Sequence, residues 1–164
     1  MDQSSPLTDK EKKVIQGSWA KIYPKSDDVG MTSIISLFTK YPQTKQYFSQ
    51  FKQIQNPEEL KGTAPLRKQA HTIMTALNKM VENLGNSDVV ASEMNALGKS
   101  HAQAHKVDPM YFKIMSGVIM EVLGEEFPEA MTPDVVAAWT RFWAMFCSGV
   151  TAVYDKVGWT KVAA

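Results

Sequence analysis

Three histidines, one cysteine and the acid pairs Asp27-Asp28 and Glu125-Glu126 are side chains of this 164-residue chain suited to chemistry. His101 closes the series Val90, Met94, Leu97, His101, whose steps of four, three and four place all of them on one face of a helix. A neutral imidazole on an apolar face has two uses. It can be a core residue with its nitrogens satisfied locally, or it can ligate a metal through one nitrogen while the other donates to a carbonyl or hydroxyl. His105 stands one turn further on and could share a metal with it, but zinc takes four protein ligands, or three and a water, and no HExxH is present. His71 falls on the polar side of its own helix. The stretch LGKSH lacks the upstream glycine of a phosphate-binding loop, and no GxSxG elbow supports a Ser/His/Asp triad. Asp27-Asp28 and Glu125-Glu126 sit at a helix start and a helix end, where capping and solvation account for them.

The elements that must position these groups are helical throughout. Thr8 and Glu11 read as a reciprocal cap, with Leu7 beside them, before the face Val14, Ile15, Trp19, Ile22 that stops ahead of Pro24. Ser26 opens a second helix running through Ile34, Ile35 and Phe38 to Pro42. A turn-rich stretch with Phe48 and Phe51 follows. Next, Leu66, Ala70, Ile73, Met74, Leu77, Met80, Val81 and Leu84 recur at helical spacing, with Gly85 as the expected stop. Asn86-Ser87-Asp88 starts the helix that carries His101. Asp108-Pro109 and Thr132-Pro133 each read as a cap followed by a first-turn proline. No strand or hairpin signal intervenes, so the spacing predicts an all-α domain of about six helices.

Composition narrows the class further. Eighteen basic and 17 acidic residues leave a formal net charge of +1, which argues against a nucleic-acid binder held by a basic face. The 44% hydrophobic content suits a folded core, and the ten methionines fall mostly on helix stripes as core filler. Cys147 alone makes neither an internal disulfide nor a thiolate metal cluster. No apolar run reaches transmembrane length and the polar start resembles no secretory signal. The expectation is one cytoplasmic domain over residues 1–164, with its core at about 7–159 and short frayed ends.

Several stretches, in order, resemble the globin family and in particular the vertebrate cytoglobins: KQYFSQFK, ALNKMVENL, GKSHAQAHKVDPMYFKIMSGVIMEVLGEEF and VTAVYDKVGW. The resemblance implies a three-over-three helical sandwich enclosing one haem b (iron protoporphyrin IX). It implies His101 as the proximal iron ligand, with Leu97 supplying the carbonyl to its second nitrogen and Ser100 beside it. His105 matches a position flanking a haem propionate, Val107 a haem-edge position, Phe48 the phenylalanine stacked on the porphyrin, and Pro42 the start of that short helix. Trp19 matches a packing tryptophan, and Gly30 with Ala70 a small pair where two helices cross.

On the distal side the chain departs from its relatives. LRKQAH stands where cytoglobins carry LRKHA, so Gln69, 21 residues after Phe48, takes the place of a distal histidine. His71 lies about 200° around the helix from it and faces away. Ile73 and Ile34 match the other positions lining the pocket. Cytoglobins are bis-histidyl when ligand-free; without the second imidazole, the expectation is a five-coordinate ferrous haem binding O2, CO and NO, for storage, transport or sensing. The alternative is an enzyme, a nitric oxide dioxygenase or nitrite reductase, which would need a cellular reductase as partner. The two cysteines of cytoglobins correspond here to Ser26 and His71, so their thiol switch is lost. A monomer and a weak homodimer both agree with the resemblance.

Overall fold

The computed structural model describes residues 7–47, 59, 63–105 and 107–158, and all the regular structure among them is helical. Helix α1 (Asp9–Ile22) begins on the reciprocal cap: Glu11 N–H donates to Thr8 Oγ1 at 3.1 Å, and Thr8 N–H donates to Glu11 Oε1 at 2.8 Å. The Thr8 N–H, with smaller help from the Thr8 hydroxyl and Arg141 and against the effect of burial, holds the Glu11 carboxyl below its ordinary pKa. A 3₁₀ turn over Tyr23–Lys25 leads into α2 (Ser26–Lys40), and another spans Pro42–Tyr47. Helix α3 (Ala64–Glu82) starts at Thr63, whose hydroxyl accepts from Leu66 N–H at 3.4 Å.

Helix α3 ends earlier than Gly85 suggests. Asn83 stops it, its backbone N–H turned back to the carbonyls of the last turn and its Nδ2 donating to Lys79 O at 2.7 Å. Gly85 therefore takes no left-handed conformation; among the described glycines that belongs to Gly158, just beyond the last helix, with φ 72°. Helix α4 (Ser87–Lys99) is capped by Asn86 and passes into a π-helical turn, Ser100–His105. Asp108 Oδ1 accepts from Met110 N–H at 2.9 Å at the head of α5 (Met110–Glu126). Helix α6 (Pro133–Lys156) has its proline in the first turn, though the Thr132 hydroxyl makes no capping bond.

The six helices given ranges here form two layers among the described residues, α1, α3 and α4 against α2, α5 and α6. The contacts between layers are α1 with α6, α3 with α2, and α4 with α6. The fold is the three-over-three arrangement expected from the sequence. Trp19 and Trp139 meet at the centre, ring centroids 5.9 Å apart, each with its indole N–H satisfied: Trp19 by Asn78 Oδ1 at 2.8 Å and Trp139 by Ser18 Oγ at 2.9 Å. Leu7 is buried in the same cluster. A second cluster joins Met31, Ile34 and Phe38 of α2 to Leu66 and Ala70 of α3, with Ile73 and Met115 packed against both clusters.

Two missing side chains allow close approaches that position the site. A Cβ on Gly30 would lie 2.9 Å from Ala70 Cβ, so α2 and α3 touch through backbone there. A Cβ on Gly98 would lie 2.8 Å from Val153, which lets the end of α4 sit down on α6 just before His101. We predict that Gly30→Val lowers stability by about 1–3 kcal/mol through overpacking, whereas Gly17→Ala, at a helical glycine with nothing within 4 Å, raises it by roughly 0.5–1 kcal/mol. Denaturant midpoints measure both, and a Gly30→Val midpoint equal to that of the parent would contradict the close crossing.

Candidate functional site

His101 sits in the first turn after α4, half-buried, with Nδ1 2.9 Å from the Leu97 carbonyl oxygen. A carbonyl only accepts, so Nδ1 carries the proton and the lone pair of the neutral ring lies on Nε2. That is the tautomer in which an imidazole can ligate a metal through Nε2. The ring of Phe112, from the first turn of α5, lies against it at 5.0 Å between centroids, tilted 59°.

The main chain around His101 is unusual. A π turn carries one residue more per turn than an α-helix and commonly marks functional sites. Here it carries the chain round so that Val107 N–H donates to the His101 carbonyl at 2.9 Å. The Val107 carbonyl in turn accepts from the Tyr154 hydroxyl of α6 at 2.6 Å. Val107 itself is buried. The described backbone includes His105, but the His105 side chain lies outside the described residues. Ser100 is exposed at the start of the turn.

On α3, Gln69 is half-buried and Ile73, one turn later, packs against both apolar clusters. His71 points the other way. Its side chain is 66% exposed and its Nδ1 is 3.0 Å from Asp27 Oδ1 of α2, which turns the imidazole away from the interior. Ile34 is fully buried in the cluster that includes Ala70 and borders Ile73 and Met115. Phe48 lies outside the described residues. Two features the sequence reading missed are Phe112 and the Tyr154–Val107 bond. An aromatic in the turn after Asp108-Pro109 was the available signal for the first; nothing local marks the second, whose partners are 47 residues apart.

The model of the family described as Globin matches residues 33–150, more than half of the chain. The chain belongs to the globin family. It is 54% identical to cytoglobin-1 of Oryzias latipes, over 99% of this chain and 92% of that protein, and 44% identical to cytoglobin-2 of Danio rerio, over 99% and 90%. Haemoglobin subunit alpha of Danio rerio is 35% identical over 83% of this chain and 90% of its own length. The chain is a vertebrate cytoglobin-like globin, and membership of the family implies a haem cofactor. The donor set fits one: a single imidazole with its Nδ1–H on the Leu97 carbonyl, with the apolar Phe112 ring against it and buried Val107 bonded to its main chain. Among the described residues no group of three or more His, Cys, Asp or Glu side chains could hold an ion on its own, and no helix is long and apolar enough to cross a membrane.

Cys147 of this globin lies in α6, buried, with Sγ 4.0 Å from Ser116 Oγ. Burial pushes its thiol above the ordinary pKa, against the smaller opposing effects of the Ser116 hydroxyl and Lys113. We predict that the native protein reacts with an aromatic disulfide reagent at least about tenfold more slowly than the urea-unfolded chain, because both access and thiolate fraction are reduced. Equal rates, followed by absorbance of the released thiolate, would contradict a buried thiol.

Proposed function

We propose that this chain is a single-domain haem globin that binds O2, and also CO and NO, reversibly, with His101 as the iron ligand and Gln69 as the hydrogen-bond donor on the opposite side. The observation that carries this is the Nδ1–H bond from His101 to Leu97 O, which makes Nε2 the nitrogen that would ligate iron. Haem b, when bound, supplies the ferrous centre that coordinates a diatomic gas.

The residues of the chain do the rest. The Leu97 carbonyl orients the imidazole by accepting its Nδ1–H. Ile34, Ile73 and Met115 supply the apolar surroundings that exclude water. Gln69 offers an amide N–H to a gas carrying partial negative charge, a neutral donor worth ~0.5–1.5 kcal/mol net. An amide is a poor iron ligand beside an imidazole, and His71 is held by Asp27 on the outer side of α3, so neither Gln69 nor His71 would compete with a gas for the iron. Val107 borders the same site, and the resemblance assigns Phe48 and His105 to the porphyrin face and a propionate.

Two measurements test this. The ferrous, ligand-free protein is expected to give the single broad visible band of five-coordinate high-spin haem; the split pair of a six-coordinate low-spin form would overturn the open site and point back to His71. In stopped-flow measurements, Gln69→Leu is expected to speed O2 release about two- to twelvefold, the kinetic equivalent of one neutral hydrogen bond, with CO release nearly unchanged. An unaltered O2 rate would remove Gln69 from the site.

A further inference from the structure

We infer that Phe112 is the positioning residue for the His101 imidazole, and that it acts as one member of a closed circuit of contacts that returns to the main chain of His101. The circuit is explicit in the structure. The His101 ring lies against Phe112, centroids 5.0 Å apart. Phe112 meets Tyr154 edge-on at 6.2 Å and 87°. The Tyr154 hydroxyl donates to the Val107 carbonyl at 2.6 Å, and Val107 N–H donates to the His101 carbonyl at 2.9 Å. Phe146 braces Phe112 from a further side, at 5.9 Å and 67°.

Each link constrains something different. The bond to Leu97 fixes which nitrogen carries the proton, but a single hydrogen bond tolerates a wide swing of the ring about the Cβ–Cγ axis. An aromatic ring against the imidazole blocks that swing on one side. Phe112 can block it only if it is itself fixed, and its two edge-on partners both come from α6, the helix on which Gly98 lets α4 rest. The Tyr154–Val107–His101 hydrogen bonds tie the π turn to α6 as well. Side chain and backbone of His101 are thus referenced to one helix. An imidazole held at one ring angle presents its Nε2 lone pair in one direction, whereas an unbraced one presents a range.

This inference rests on His101 holding haem iron. Its test compares the haem-loaded protein with Phe112→Leu and Phe112→Met, which keep apolar bulk and remove the ring, with Phe112→Tyr, which keeps it, and with Phe142→Leu, a core change whose ring partners are Trp139 and Trp143. The readouts are the ferrous iron–histidine stretching band in resonance Raman and the rate of haem loss to a scavenger apoprotein. Phe112→Leu and Phe112→Met are expected to shift and broaden the band and to speed haem loss about two- to tenfold, the scale of one aromatic contact. Phe112→Tyr keeps the parent band, and Phe142→Leu lowers stability without moving it. A parent-like band and haem-loss rate in either ringless variant with native helix content overturns the proposal. A parent protein that takes up no haem at all sinks the functional reading and this one with it; a normal parent beside unchanged variants sinks this one alone.

Discussion

A hydrogen bond from the imidazole of His101 to the carbonyl of Leu97 decides what the site can be. A backbone carbonyl has no proton to give, so the histidine is its donor and the ring has one tautomer. With the proton on Nδ1, the opposite nitrogen is a base facing away from its own helix. Every other property proposed for the site presupposes that choice: the kind of cofactor, the side of the cofactor that is held, and the side left to a gas.

Much of the fold serves to deliver that one ring. Glycine at position 98 removes the side chain that would hold α4 away from α6. The helix then loosens into a π turn within a residue of His101, and Val107 closes the turn back on the His101 carbonyl. Across the molecule Gly30 and Ala70 let α3 approach α2, so that Gln69 and Ile73 stand on a helix pressed into the opposite layer. The pair of tryptophans at the core, each with its N–H satisfied, ties α1 and α3 to α6 without leaving polar atoms stranded.

The sequence carried the helices well because their information is local. Capping at Thr8, prolines near helix starts at 109 and 133, and the long apolar stripe through Leu77 all depend on residues within a turn or two of each other. The interior placement of His101 was legible for the same reason. Gly85 reads as the stop of α3, but the helix ends at Glu82, where Asn83 turns its side chain back onto the Lys79 carbonyl. The π turn was invisible, since it answers to the packing of α4 on α6 and to a tyrosine 47 residues from its carbonyl partner. Spacing alone does not single out Phe112; only the fold brings it to the imidazole. Phe48 and the side chain of His105 lie outside the described residues, so their assignments stand on resemblance alone.

The most direct test removes the imidazole and offers it back in solution. With His101→Gly, reconstituted with hemin, the account predicts that the parent Soret and visible bands are lost and that millimolar free imidazole restores them by filling the vacated position. A His101→Gly protein with the parent spectrum in the absence of imidazole would contradict it, because some other group would then be holding the iron.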